Sequence, residues 1–287
     1  ANIRHRRYST SMPTTNASRN CCPLDPCSCA TAKAAAATGL LGCSIITASA
    51  PTSKGNNKSM TGTGTAAAVD AAAAAGLIEA VARLPQAEVA HLLDVAARAP
   101  SGSNIQPWKV YAQSGAALKR LCDALMAEHE AGITPESEYQ YYPRKFFEPF
   151  HSRRRKVGWD LYGLLGIGKG DSERMRAQHG RNLVFFDAPV GLIFTIHRDL
   201  EQGSWLDYGM FLQNVMVAAR GMGLDTCPQA AFMPYHRTIQ AMLEIPPEEM
   251  LVCGMALGYA DPAAVENSLE TERAPAQEFT RFAGWAE

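Results

Sequence analysis

From Pro85 onward the apolar positions keep regular spacings, and ahead of it they do not. Pro85-Gln86-Ala87-Glu88-Val89 opens a helix in which Val89, Leu92, Leu93 and Ala96 recur three and four residues apart, which gives it one buried face. Trp108, Val110 and Tyr111 begin a strand running to Gln113, and Gly115 to Ala131 returns to the helical spacing with Leu118, Leu121, Leu125 and Met126 inward. Asp187 to Ile196 reads as a buried strand. Trp205 to Arg220 is apolar around most of its circumference, as a central helix is. A helix at Tyr235 to Leu243 and a strand at Met250 to Gly258 complete a sheet.

Between the first helix and the first strand lies Arg98-Ala99-Pro100-Ser101-Gly102-Ser103-Asn104-Ile105-Gln106-Pro107-Trp108. Pro100 stops the helix and Gly102 permits unusual backbone angles. Such a connection offers backbone N–H groups, the Ser101 and Ser103 hydroxyls, and the amides of Asn104 and Gln106, which suit a polar planar ligand or a phosphate. A plain turn is the competing reading.

A second irregular stretch is aromatic: Tyr139-Gln140-Tyr141-Tyr142-Pro143, then Phe146-Phe147-Glu148-Pro149-Phe150, followed by Trp159 and Tyr162. These residues either pack on the core or form a binding surface, and clustered aromatics favour the surface. Arg153-Arg154-Arg155-Lys156 lies on a helix and is either a solvated face or a device for steering an anion. His151 and His179 have no partner at ligand or triad spacing and read as surface or core histidines.

The charge distribution narrows the classes of partner. Over 287 residues the net charge is −1, but residues 1–69 carry seven basic side chains against Asp25, whereas residues 70–287 carry 20 basic and 27 acidic ones. The acidic body does not read as a nucleic-acid surface. No run of eighteen apolar residues argues for a transmembrane helix. In the body Cys122, Cys227 and Cys253 stand in apolar surroundings without metal-ligand spacing, like reduced core thiols of an intracellular, cytoplasmic protein. Cys21-Cys22-x4-Cys27-x-Cys29 has no second ligand pair at finger-like spacing, so no metal site is expected.

Residues 1–76 are rich in Ala, Ser, Thr, Gly and Asn and have no sustained period, a low-complexity profile. The basic, Ser/Thr-rich Arg4 to Arg19 has the composition of a transit peptide. Ala48-Ser49-Ala50 follows a weak apolar run in the manner of a cleavage site, and Leu40-Leu41-Gly42-Cys43 has the look of a lipoprotein site. The body, residues 77–287, is one domain.

Arg-x-Pro-Ser-Gly-x-Asn-x-Gln-Pro-Trp at residues 98–108 resembles the signature of the nitroreductase family, and later segments match in order from Pro85 to Trp285. The resemblance implies an α+β sandwich with a central, mostly antiparallel sheet flanked by helices, in an intertwined homodimer. It implies FMN as cofactor, NAD(P)H as reductant, and a ping-pong transfer of electrons to a small aromatic substrate. Residues 153–162 and Asp225-Thr226-Cys227-Pro228-Gln229-Ala230-Ala231-Phe232 look most like nitrobenzoate-type members. Alternatives are a quinone or enone reductase, or a flavin-binding protein without turnover.

Matching positions make Pro100, Ser101, Gly102, Asn104 and Gln106 the FMN-lining loop. Ala230 and Ala231 become the residues whose amides face the flavin, with Gln229 adjacent, and Arg273 the phosphate ligand. No residue is implied as a catalytic acid, base or nucleophile, because the cofactor carries the chemistry. The helix at Trp205 to Arg220 corresponds to the dimer core, the aromatic stretch to a cover over the site, and the segment ending at Trp285 to an arm on the partner subunit.

The family's Arg-Arg-Ser-x-Arg-x-Phe-like segment, ten to twenty residues ahead of Pro85, is replaced here by Ala74-Ala75-Gly76-Leu77-Ile78-Glu79-Ala80-Val81-Ala82-Arg83. Arg83 is the remaining match, and Arg6-Arg7-Tyr8-Ser9 is a superficial substitute. An altered reading frame over residues 73–84 accounts for both the alanine bias and the missing arginines.

Overall fold

The structure, a computed structural model, describes residues 84–132 and 136–285. The head at residues 1–76, with its cysteines and candidate targeting segments, lies outside the described residues, as do Arg6, Arg7 and Arg83.

Four strands form one antiparallel sheet: β1 (Lys109–Ser114), β2 (Val190–His197), β3 (Asp225–Gln229) and β4 (Glu249–Gly258), in the order β1-β2-β4-β3. Tyr111 opposes Ile193, Ile193 opposes Gly254, and Gly254 opposes Gln229, which fixes the register across all four. The main helices are α1 (Gln86–Ala96), α2 (Gly115–Glu130), α3 (Phe150–Leu164), α4 (Ser172–Gly180), α5 (Gln202–Gly221) and α6 (His236–Met242). A short α7 (Ala276–Phe279) lies in the tail.

Alternation along β2 builds two cores. Val190, Leu192, Phe194 and Ile196 face one layer, where α1 and α5 cover the sheet, and Ile193 faces the other, covered by α2, residues 183–188 and α6. On α5 the buried residues Ser204, Tyr208, Phe211, Val215 and Ala219 recur at helical spacing. Burying a side chain such as Phe211 contributes about 1.5–3 kcal/mol. Asn214 Nδ2 donates to Ala96 O at 3.2 Å and ties α5 to the end of α1.

The second layer needs two glycines. A Cβ on Gly254 would stand 2.3 Å from a Phe232 ring carbon, and one on Gly191 would stand 2.7 Å from the Phe185 ring. Phe185 and Phe232 thus lie flat against bare backbone and stack on each other at 4.5 Å.

Register slips between Phe194 and Thr195, which oppose Cys253 and Leu251, so Val252 is the extra residue of a bulge in β4. The bulge lies beyond the last residue of β3, where that edge of β4 is open. Two residues ahead of the aromatic stretch's exposed part fill the opening. Tyr139 Oη donates to Val252 O at 2.7 Å, and the Leu251 N–H donates to Glu138 Oε2 at 2.9 Å. Glu138 is further held by Arg198 and Gln240.

Several boundaries differ from the sequence reading. Asp187 precedes β2 rather than opening it, because Phe185, Phe186 and Asp187 all take positive φ and form a turn that turns both rings inward. β3 is a strand to which the apolar pattern assigns no element; it is short, lies at an edge and contains Pro228, a residue that an edge strand accepts.

Candidate functional site

The Pro100–Pro107 connection folds as a tight loop at the end of the sheet where β1 begins. Its N–H groups are largely spent on the loop itself. Asn104 donates to Ser101 O at 3.0 Å, Ile105 to Gly102 O at 3.1 Å, and the Gln106 N–H to Ser101 Oγ at 3.1 Å. Gly102 N–H goes to Asp207 Oδ2 on α5 at 2.9 Å. Ser103 alone among residues 102–106 keeps its N–H outside these bonds.

The sequence reading of a loop rich in available amides is therefore corrected. Most are used to hold a shape in which Ser103, Asn104 and Gln106 take φ of 51°, 58° and 52°. What the loop offers outward is side chains: Ser103, Asn104 and Gln106 are exposed. Pro100 and Gly102 are exposed as well, and Ser101 is half-buried. Trp108 closes the segment by stacking on Phe211 with ring centroids 4.8 Å apart.

Gln229, Ala230 and Ala231 stand at the other edge. β3 runs toward this end, from Asp225 opposite Gly258 to Gln229 opposite Gly254, and β1 starts from it, with Lys109 opposite Thr195, which pairs with Leu251 near the beginning of β4. The two candidate segments therefore share one end of the sheet but flank it, separated across the sheet by roughly 14 Å over three strand spacings and offset along it, since Gln229 is level with Tyr111. Ala230 and Ala231 open a tight turn pinned by Phe232, and their N–H groups enter no backbone hydrogen bond outside that turn.

The Gln229 side chain faces the interior and is 3% exposed. Its Nε2 donates to Asn182 O at 2.8 Å, while its Oε1 is buried with no partner among the described residues.

Arg273 lies elsewhere, in a groove of about 690 Å³ between α3 and the tail that also contains Arg153, Arg154 and Lys156. No residue of the 100–106 loop or of 229–231 lines it. The Arg273 guanidinium donates to Thr271 Oγ1 at 2.6 Å and Glu272 O at 2.9 Å. Lys156 is bonded to Asp160 at 2.8 Å, which raises its pKa, and lies 3.4 Å from Glu272. Arg154 sits over the Phe146 ring at 4.6 Å.

The aromatic stretch borders a cavity of about 570 Å³ whose lining includes Tyr139, Tyr141, Tyr142 and Met233. Met233 is two residues past Ala231, so this cavity adjoins the Ala230–Ala231 turn. Burial pushes the Cys122 thiol up to about 11 and the Cys253 thiol up to about 12, so neither is a nucleophile at neutral pH. His151 lies 3.6 Å from Glu148, and His179 stacks on His129 at 6.0 Å.

Sequence reasoning missed two residues that shape this end of the molecule. Asp207 had a visible signal, an acid inside the apolar run Trp205 to Phe211. Glu138 had none.

The model of the Nitroreductase family matches residues 79–259. A nitrobenzene nitroreductase of Ectopseudomonas oleovorans is 41% identical over 197 residues, covering 68% of this chain and 86% of its own. A 4-nitrobenzoate reductase of Pseudomonas putida is 40% identical over 198 residues, covering 69% and 86%. The crystal structure of the FMN-dependent nitroreductase NfnB from Mycobacterium smegmatis in complex with NADPH superposes with a TM-score of 0.67 at 31% identity, covering 70% of this chain and 90% of its own.

Proposed function

Since the chain belongs to the nitroreductase family, we propose that it is an FMN-dependent oxidoreductase that passes electrons from NAD(P)H to small nitroaromatic acceptors of the nitrobenzoate kind. The observation that carries the reading is the pairing, at one end of the sheet, of a shape-locked polar loop with a turn of small residues whose N–H groups enter no backbone hydrogen bond outside the turn. A planar, polar ring fits this donor set. Ser103, Asn104 and Gln106 supply hydroxyl and amide groups for its rim, and the methyl side chains of Ala230 and Ala231 let backbone N–H groups approach its face.

Bound FMN would supply two-electron transfer between a nicotinamide and an acceptor, which no side chain can supply. Ala230 and Ala231 would present N–H donors to the ring, and Gln229, held by Asn182, would fix where that turn begins. Arg273, in its separate groove beside α3, would be the phosphate ligand that the family resemblance implies, with a guanidinium suited to a dianion. Nicotinamide and acceptor would use the same opening in turn, the ping-pong order. Tyr141, Tyr142 and Met233 would then line the acceptor's place, since an aromatic cavity beside the turn suits an aromatic guest.

A homodimer belongs to the same reading. Leu206, Met210, Gln213 and Val217 make a stripe along α5 that is exposed or half-buried in the single chain, and a second copy on that stripe would cover it. The separation of the two edge segments across the sheet, roughly 14 Å over three strand spacings, also gives a second copy room to contribute to each site. A cytoplasmic location is included, supported among the described residues by the buried thiols of Cys122 and Cys253.

The test is the visible absorption spectrum of purified protein, before and after FMN and then NADPH are added without oxygen. Flavin bands that bleach with NADPH and return with a nitrobenzoate are expected. Bands that return with quinones but not nitroaromatics would replace the acceptor class, and tight FMN binding without bleaching would replace the enzyme by a binding protein.

A further inference from the structure

Asp207 is 9% exposed and lies on α5 between buried Ser204 and the buried rings of Tyr208 and Phe211. A carboxylate taken from water needs compensation, and an apolar side chain would serve the helix better if packing were the only demand. The contact made by Asp207 is with the loop: its Oδ2 accepts the Gly102 N–H across 105 positions of the chain.

That bond does the work of a helix cap. Ser101 precedes the tight turn Gly102–Asn104 and has the residue type that caps such turns, yet its side chain makes no cap bond there. Its Oγ instead accepts the Gln106 N–H at the loop's far side. The distant carboxylate takes over the vacated duty. One turn further along α5, Phe211 stacks on Trp108, so residues 207 and 211 grip the loop near both of its ends.

The gripped segment needs this. Ser103, Asn104 and Gln106 hold left-handed backbone without being glycine, a conformation that persists only where the surroundings over-determine it.

We propose that Asp207 is a positioning residue for the cofactor loop, its carboxylate capping Gly102 so that Ser103, Asn104 and Gln106 are presented to the flavin. This rests on the reading above that the loop borders FMN. The acceptor oxygen is the essential feature, rather than the charge, because one neutral N–H is what it holds.

The experiment compares wild type with Asp207→Ala and Asp207→Asn. FMN affinity is read by flavin fluorescence, and hydrogen exchange of the 102–106 amides is read on the flavin-free protein. Asp207→Ala is expected to weaken FMN about tenfold, the loss of one hydrogen bond, and to speed exchange in the loop. Asp207→Asn, which keeps an acceptor oxygen, restores both. Tyr208→Phe deletes the neighbouring 2.9 Å bond to Lys109 O and controls for lost stability alone. If Asp207→Ala does not fold, Asp207→Leu fills the space without accepting.

Unchanged exchange and unchanged affinity in Asp207→Ala would overturn the proposal and leave the loop reading intact. Faster exchange with unchanged affinity would show that the loop is fastened by Asp207 but does not meet the flavin, which overturns the reading. Equal losses in the Ala and Asn variants would assign the effect to charge and also overturn the proposal. Wild type that takes up no FMN would remove both together.

Discussion

Helix α5 buries Tyr208, Phe211 and Val215, whereas α3, which carries Phe150, Val157, Trp159 and Leu164, buries no residue at all. Both have enough apolar side chains to form a packed face. The difference lies in what each one meets: α5 lies across the sheet and along α1, while α3 meets the turn at Val265–Ser268 and the tail, through contacts such as Lys156 with Glu272 at 3.4 Å. An apolar stripe therefore shows that a helix has a face to cover, but not which surface covers it. Within α5 itself Leu206 is 71% exposed beside buried Asp207, so one helix serves the core on one side and awaits a second surface on the other.

The sharpest way to test the contrast is a matched pair of truncations. Phe211→Ala removes a fully buried ring and its stack on Trp108, and is expected to lower the unfolding free energy by about 3–5 kcal/mol. Trp159→Ala on α3, from a ring 43% exposed, is expected to stay within about 0.5 kcal/mol in the same denaturant titration. A comparable loss in both would mean that α3 is covered more fully than the single chain indicates.

Next in size is Leu206→Glu. A charge placed at the most exposed apolar residue of the α5 stripe is expected to cost about 2 kcal/mol or more of subunit association. Sedimentation velocity checks this, and a variant that remains dimeric at micromolar concentration would place the subunit contact elsewhere.

The smallest effect concerns how the α3 region is attached. Tyr139→Phe leaves the Val252 carbonyl at the bulge without its donor, at a cost of about 1–3 kcal/mol. Burial raises the Tyr139 pKa, so the folded state favours the protonated phenol. Its contribution is complete below the ordinary tyrosine value of about 10 and is lost as pH rises through the higher folded value. Wild-type stability should fall more steeply above pH ~10 than that of Tyr139→Phe. Parallel curves would remove Tyr139 from the attachment.

These contrasts also mark what the amino-acid order reveals. The loop at Pro100–Gln106 and the central helix are legible because their signals are local: proline, glycine and amide residues in a fixed order, and an apolar helix without a polar side. β3 is hidden because five residues that include a proline carry almost no period. The loop's amides read as available because sequence shows donors but not the acceptors that claim them, and two of those acceptors are Ser101 within the loop and Asp207 far along the chain. Glu138 reads as one acid among many. Its importance comes from a bulge 113 positions away, where the Leu251 N–H would otherwise face an open strand edge.

The bulge at Val252 has a further consequence for how such a protein can change. The aromatic segment is fastened to the sheet at Glu138 and Tyr139, and the residues after them, from Gln140 through Pro149, are exposed apart from half-buried Phe146 and belong to neither core. That makes the stretch an interchangeable part. Its length and side chains can be rewritten by mutation or grafting while the clasp and the scaffold are kept, so a new acceptor range would require no redesign of the machinery beneath it.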